Sequence, residues 1–234
     1  MANSIQTSIN AVQGALNFWN PTVGTNNEPA ISAANMVQQV MMSPPFRWAW
    51  NRNKASFTLS TGQQDYIQTI TDFGYMELAT FQNAQGKVFP FRVLNTTPLG
   101  ESGDNQQPVT ISVQSTIVGT SVTFRVLGLP DQNYTAVVTY QKFVPQMAAL
   151  VTQWTAPDYL SYIYNRGFLA HLYEARGDVR AQQEKVAFAA ALLGTQDGLT
   201  DTERNIFLAQ YLPNMRDVLA MQLKTQQGVQ ARGQ

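Results

Sequence analysis

Residues 44–52 read PPFRWAWNR, and the apolar spacing changes on either side of this stretch. Upstream it is helical. Ile31, Ala34, Val37, Gln38 and Met41 recur at a 3.6-residue period behind Asn27-Glu28-Pro29. That start offers a capping Asn, an acid at the positive end of the helix dipole and a proline in the first turn. Ser43-Pro44-Pro45 ends the helix, because proline has no N–H to continue the ladder and its ring clashes with the preceding turn. Downstream, from Arg47 to about Lys142, the period is two. Phe57 and Leu59 alternate with polar residues, as do Val109, Ile111 and Val113, then Val122, Phe124 and Val126, then Tyr134, Ala136, Val138 and Tyr140. Turn signals at Thr61-Gly62, Phe73-Gly74, Gln85-Gly86, Val118-Gly119 and 130–133 separate the runs. Short strands so spaced predict a small antiparallel sandwich or barrel. Residues 98–108, PLGESGDNQQP, have no apolar period and read as a long exposed loop.

Working outward, Ile5, Ile9, Val12, Leu16 and Trp19 form one helical stripe that Asn20-Pro21 and Gly24 bring to an end. After Pro145 the helical period returns. Met147, Leu150, Val151 and Trp154 fit a short helix, and Pro157-Asp158 opens another carrying Leu160, Ile163, Tyr164 and Phe168. Gly177 ends that helix and Asp178 caps the next, which runs to Leu193-Gly194. Thr200 and Glu203 make a capping box for a last helix with Ile206, Tyr211, Met215 and Leu219, which Pro213 should kink or break. The final TQQGVQARGQ has little to bury and is expected to be a mobile tail. The expected fold class is therefore α+β: a helical bundle formed by segments 1–45 and 146–234, with an inserted antiparallel β-sandwich or barrel domain at 46–145.

Composition narrows the function. The 234 residues contain no cysteine, which removes disulfides, thiolate nucleophiles and Cys-based metal sites. No apolar run approaches the ~20 residues that span a bilayer, and no basic, continuous signal opens the chain. Fifteen basic and fifteen acidic residues cancel, so no overall field draws the chain to nucleic acid or an anionic membrane. Charged residues make up 13%, against about 25% in an ordinary soluble domain. From Met1 to Phe46 only Glu28 is charged; the polar positions are Asn, Gln, Ser and Thr. Glutamine pairs such as Gln38-Gln39 and Gln106-Gln107 recur. A polar but uncharged surface suits a packed subunit contact, because amides hydrogen-bond across it without the desolvation cost of ions. The first-helix residues Ile5, Ile9, Val12 and Leu16, with Trp48 and Trp50 as aromatic anchors on one strand face, are the expected subunit-interface residues.

Catalytic groups are sparse. His171 is the single histidine, within FLAHLYEA, and no G-x-S-x-G elbow exposes a serine. Asp65, Asp72 and Glu77 are acids for which glycosidic hydrolysis is formally open, although their spacing is not specific to it. No Walker or G-x-G-x-x-G loop is present. The aromatic and basic 44–52 stretch also fits base stacking, but no basic surplus accompanies it. No cofactor or metal is expected.

The order of features resembles a known family. A helix NEPAISAANMVQQV precedes the proline stop and FRWAWNR, followed by FTLSTGQQDYI, DFGYMELATF and a long β excursion. The helical return APDYLSYIYNRGFLAHLYEARGD and then GLTDTERNIFLAQ complete it. This layout, over roughly 27–210, resembles the head–tail connector proteins of tailed bacteriophages and is similar to the tail tubular protein A group of podophage adaptors. The resemblance implies a non-enzymatic virion protein in the phage neck, assembled in the host cytoplasm. It would form a homo-oligomeric ring of about twelve copies under the portal protein, around a lumen that passes genomic DNA without reading its sequence. A downstream tail or nozzle protein would dock below, and no membrane is involved. On the same basis Arg216, Lys224 and Arg232, after Pro213, are the expected portal-binding residues. The chain is longer than those adaptors, with the 98–108 loop as one excess. The competing expectation is a receptor- or glycan-binding tail module using Tyr66, Phe73 and Tyr75 as sugar platforms.

Overall fold

A computed structural model describes residues 3–17, 19–22, 25–94 and 105–212. It is an α+β fold whose chain divides into two compact units. One is built from the residues up to Phe46 together with those from Pro145 onward; the other is Arg47–Val144.

Among its described residues the first unit holds five α-helices: α1 Ile5–Val12, α2 Ala30–Met42, α3 Ser161–Arg176, α4 Ala181–Gly194 and α5 Asp201–Tyr211. Local chemistry sets most of their ends. Ser4 and Thr7 cap α1 reciprocally, and the first N–H groups of the helix find further partners in the chain: Ile5 N donates to Thr152 O at 3.2 Å and Gln6 N to Leu150 O at 3.0 Å. This explains why 147–154 is not the helix its periodicity suggests: its carbonyls serve α1, Trp154 N donates to Asn3 O, and Ser4 bridges Gln153. α1 stops at Val12, short of Trp19, where the chain passes through Gly14 and a left-handed Asn17. In α2, Glu28 accepts from Ser32 N at 3.0 Å, satisfying one of the donors that a helix N-terminus leaves open. Gly177 (φ 72°) ends α3, with Gly177 N and Asp178 N donating to Glu174 O and Tyr173 O. Asp178 turns the chain by accepting from Arg180 N, and α4 begins at Ala181. Thr200 and Glu203 form the expected capping box of α5.

Aromatic rings are set into the largely aliphatic core of this unit. Trp154 stacks on Tyr164 (4.6 Å, 15°), meets Phe168 edge-on and donates its Nε1–H to Ser8 Oγ of α1 at 2.9 Å. It is thereby held between α1 and α3. Phe46 and Phe207 meet edge-to-face at 4.8 Å, joining α5 to the end of the N-terminal segment. Gly167 of α3 lies directly against the ring of Phe188 on α4; any Cβ there would come within 2.8 Å of it.

Among its described residues the second unit contains ten strands: β1 Arg52–Leu59, β2 Asp65–Gln68, β3 Phe73–Gln82, β4 Val88–Pro90, β5 Arg92–Leu94, β6 Asn105–Gln106, β7 Thr110–Ile117, β8 Ser121–Leu127, β9 Leu129–Pro130 and β10 Tyr134–Lys142. They form two four-stranded sheets, ordered β1-β10-β3-β4 and β2-β8-β7-β5, with β6 and β9 as a small pair. The ladders are antiparallel except for two short ones, β5 on β7 and β6 on β9. Side chains from both sheets share one apolar cluster. Phe57 of β1 stacks on Phe124 of β8 (5.3 Å, 12°), and Phe73 meets Phe124 edge-on. Of the 98–108 stretch only 105–108 is described, and Asn105-Gln106 lies in a ladder there rather than in an open loop.

Candidate functional site

Aromatic residues 48 and 50 do not share a strand face. Residues Ala49–Asn51 form a short 3-10 turn, closed by Asn51 N donating to Trp48 O at 3.1 Å, and β1 begins only at Arg52. The side chain of Asn51 fastens this turn to Lys142 O at 3.0 Å. Trp48 is buried, Trp50 half-buried, and their rings lie 5.8 Å apart. Beside them a bulge in the β3–β10 ladder, between the pairs Thr139–Leu78 and Tyr140–Met76, leaves Glu77 as the extra residue. Its side chain is 2% exposed and is held by Arg52 Nε at 2.8 Å and by the Gln141 amide, which also donates to Trp48 O at 3.0 Å. Trp50 Nε1, Tyr75 OH and Gln141 Oε1 in this cluster are buried without a hydrogen-bond partner. Burial pushes the Tyr75 phenol up, and the Glu77 carboxylate adds to the effect.

Each of the three acids considered for hydrolysis is engaged within the chain. Asp65 is gripped at both oxygens by Arg125 (2.7 Å each), which holds its carboxyl below the usual range. Asp72 accepts from Tyr140 OH at 2.7 Å and Asn53 Nδ2 at 3.2 Å. Glu77 faces Arg52 and Gln141. A general acid needs its pKa raised by apolar surroundings or a second carboxylate; cations and donors favour the ionised form. The proposed sugar platforms are also covered: Tyr66 and Phe73 lie in the shared core, and Tyr75 keeps its hydroxyl inside.

His171 is buried on α3. Its Nδ1–H donates to Glu174 Oε2 at 3.1 Å, leaving Nε2 to accept from Tyr211 OH at 3.4 Å. Burial pushes its pKa down. Lys185 engages the other oxygen of Glu174, so this set ties α3, α4 and the end of α5 together. Among the described residues no group of three or more His, Cys, Asp or Glu is placed to hold a metal, and no helix is long and apolar enough to cross a membrane.

The chain itself covers the stripe expected to face a neighbouring subunit. Ile5 and Leu16 are fully buried, and Ile9 and Val12 nearly so. Amphipathic spacing identifies a buried face but not what buries it, and here the rest of the unit does so. The opposite face of α1, with Gln6, Thr7, Asn10 and Ala11, is exposed and carries no charge. Sequence reasoning found the helix and missed this face, although the absence of charge pointed to it. Arg216, Lys224 and Arg232 lie outside the described residues. No protein-family model and no curated protein matches the chain.

Proposed function

We propose that this chain is a structural protein of a tailed bacteriophage, one copy of a ring-shaped head–tail adaptor in the neck. In this reading a helical bundle from the N- and C-terminal segments carries an inserted β-sandwich. The ring docks on the portal, joins it to the tail and lines the DNA channel. The observation that carries the proposal is the exposed surface of the N-terminal helices. Apart from Met36 its exposed side chains are polar or small, yet Glu28 is the one charged side chain among the first 46 residues. Solvated surfaces usually carry ions, whereas a face that packs against another subunit is spared the cost of desolvating them. The resemblance in feature order supports the same class, and so does the engagement of Asp65, Asp72 and Glu77 in internal ion pairs and hydrogen bonds.

Portal contact is assigned to Arg216, Lys224 and Arg232, and the wider partners are the downstream tail protein and the DNA in the lumen. The test is co-elution of the purified chain with the portal ring of the same virus, alongside a version ending at Pro213. Co-elution of the full chain and its weakening on truncation are expected. A full chain that never associates with the portal refutes the adaptor, and a truncated chain that binds equally well refutes the assignment of the three basic residues.

A further inference from the structure

The turn that joins α4 to α5 carries the only Asp-Gly step in the sequence, Asp197-Gly198, and the sequence has no Asn-Gly step. An aspartate followed by glycine can close on itself. The next backbone nitrogen attacks the side-chain carboxyl carbon, and glycine, having no Cβ, shields that nitrogen least. A fold holds such a step back when the amide or the carboxylate is engaged in a hydrogen bond. Neither restraint operates here. Asp197 and Gly198 are both exposed. Among the described residues no hydrogen bond reaches the Asp197 carboxylate or uses the Gly198 N–H. Nor does the turn require this glycine: its φ is not left-handed, and a Cβ added to it would meet nothing within 4 Å.

The residues on either side are fixed. Gln196 and Leu199 are each 8% exposed. Their carbonyls accept from one side chain, Arg204 of α5, whose Nη2 donates to Gln196 O and Nε to Leu199 O, both at 3.4 Å. Thr200 and Glu203 then cap the helix. Asp197-Gly198 is thus a two-residue tip, open to water, between two points that a single arginine spans.

We infer that Asp197-Gly198 is a self-modification site, which isomerises to an isoaspartyl linkage in the folded protein and thereby loosens the start of α5. The Gly198 nitrogen bonds to Asp197 Cγ, and the hydroxyl lost from Cγ leaves with the nitrogen's proton as water, giving a five-membered succinimide. Water then returns to one of the two ring carbonyls. Addition at Cγ restores aspartate. Addition at the main-chain carbonyl carbon breaks its bond to nitrogen, so the chain now runs through Cβ and Cγ and the old carbonyl becomes the side carboxylate. One water leaves and one enters, with no oxidant, reductant or cofactor. The backbone between Gln196 and Leu199 gains one methylene. The two Arg204 bonds, already at the long end of the hydrogen-bond range, should not both survive that longer span.

The full chain is aged at neutral pH in heavy-oxygen water, beside a sample unfolded in guanidinium chloride, and both are digested with trypsin in ordinary water. Cleavage after Lys185 and Arg204 releases residues 186–204, which hold Asp197 and, as an internal control, Asp201 followed by Thr202. Heavy oxygen and isoaspartate should accumulate at Asp197 and not at Asp201. The folded rate should lie within about tenfold of the unfolded one, as expected of a loop with little local protection. Gly198→Ala, whose Cβ has room, should lose the signal in both samples. Hydrogen exchange of the α5 amides should quicken in the aged chain and not in aged Gly198→Ala. A folded sample that stays unlabelled while the unfolded one reacts would overturn the site, and so would equal labelling at Asp201. Isoaspartate at Asp197 with unchanged exchange in α5 would overturn the coupling to that helix.

Discussion

Gly167→Ala tests whether α3 and α4 approach as closely as described. An added Cβ at 167 would sit 2.8 Å from Phe188 Cε2, 2.9 Å from Cδ2 and 3.0 Å from Cζ. Ordinary contact begins at 3.4 Å, so the ring must retreat by about 0.6 Å. It has little room, because Phe188 is fully buried and meets Tyr211 edge-on at 5.7 Å. Overpacking of this kind costs about 1–3 kcal/mol. Replacing glycine by alanine inside a helix returns about 1 kcal/mol. The net expectation is a destabilisation of about 1 kcal/mol, or roughly 2–4 °C in melting temperature for a chain of this size. Thermal and urea melts followed by circular dichroism measure it. Phe188→Leu should be less harmful in the Gly167→Ala background than alone, since the smaller side chain vacates the space. If Gly167→Ala raises the melting temperature, or the double-mutant cycle shows no coupling, the described α3–α4 contact is wrong.

Val12→Glu would bury an unpaired carboxylate and should destabilise the first unit by about 3 kcal/mol or more, whereas Ala11→Glu, one residue earlier and exposed, should stay within about 0.5 kcal/mol; equal melts would contradict the orientation of α1. Trp154→Phe removes the donor to Ser8, which is 1% exposed, and should cost about 1–3 kcal/mol in a urea titration, with Ser8→Ala partly relieving it. His171 is neutral in the folded chain because burial lowers its pKa, while unfolded it takes a proton at the ordinary 6.5. Its contribution is therefore complete above about 6.5 and declines as pH falls below that value, so stability should drop there and His171→Gln should flatten the slope between pH 5 and 7. Gly74→Ala should disrupt a second irregularity of the β3–β10 ladder, where Gly74 is the extra residue between the pairs Gln141–Tyr75 and Lys142–Phe73, because its Cβ would lie 2.8 Å from Gln141 O; a wild-type melt for that variant would count against the register.

Features encoded locally were legible. Thr200 and Glu203 are three residues apart in sequence, and both halves of their capping box form as read. The strand runs were visible because burial on one face enforces a period of two. Readings failed where a distant partner decided the outcome. Residues 147–154 have helical spacing, yet their carbonyls are drawn to the N-terminus of α1, about 145 positions earlier. Trp48 and Trp50 are spaced as in a strand, but Asn51 and Lys142 hold the segment in a turn. The pairing of Asp65 with Arg125 and of Glu77 with Arg52 depends on strand register and a bulge, which no local pattern reveals. The stripe of α1 was readable as a buried face, but the identity of what buries it was not. That distinction moves the proposed subunit contact from Ile5, Ile9 and Val12 to the outer face of the same helix.

The most direct test of the adaptor is electron microscopy of the purified chain mixed with the portal ring from the same virus. The account predicts a second ring, of matching symmetry, stacked on the tail-facing end of the portal with a continuous channel through both. Portal rings that remain bare at saturating concentrations of the chain would contradict it and move the receptor- or glycan-binding reading to first place.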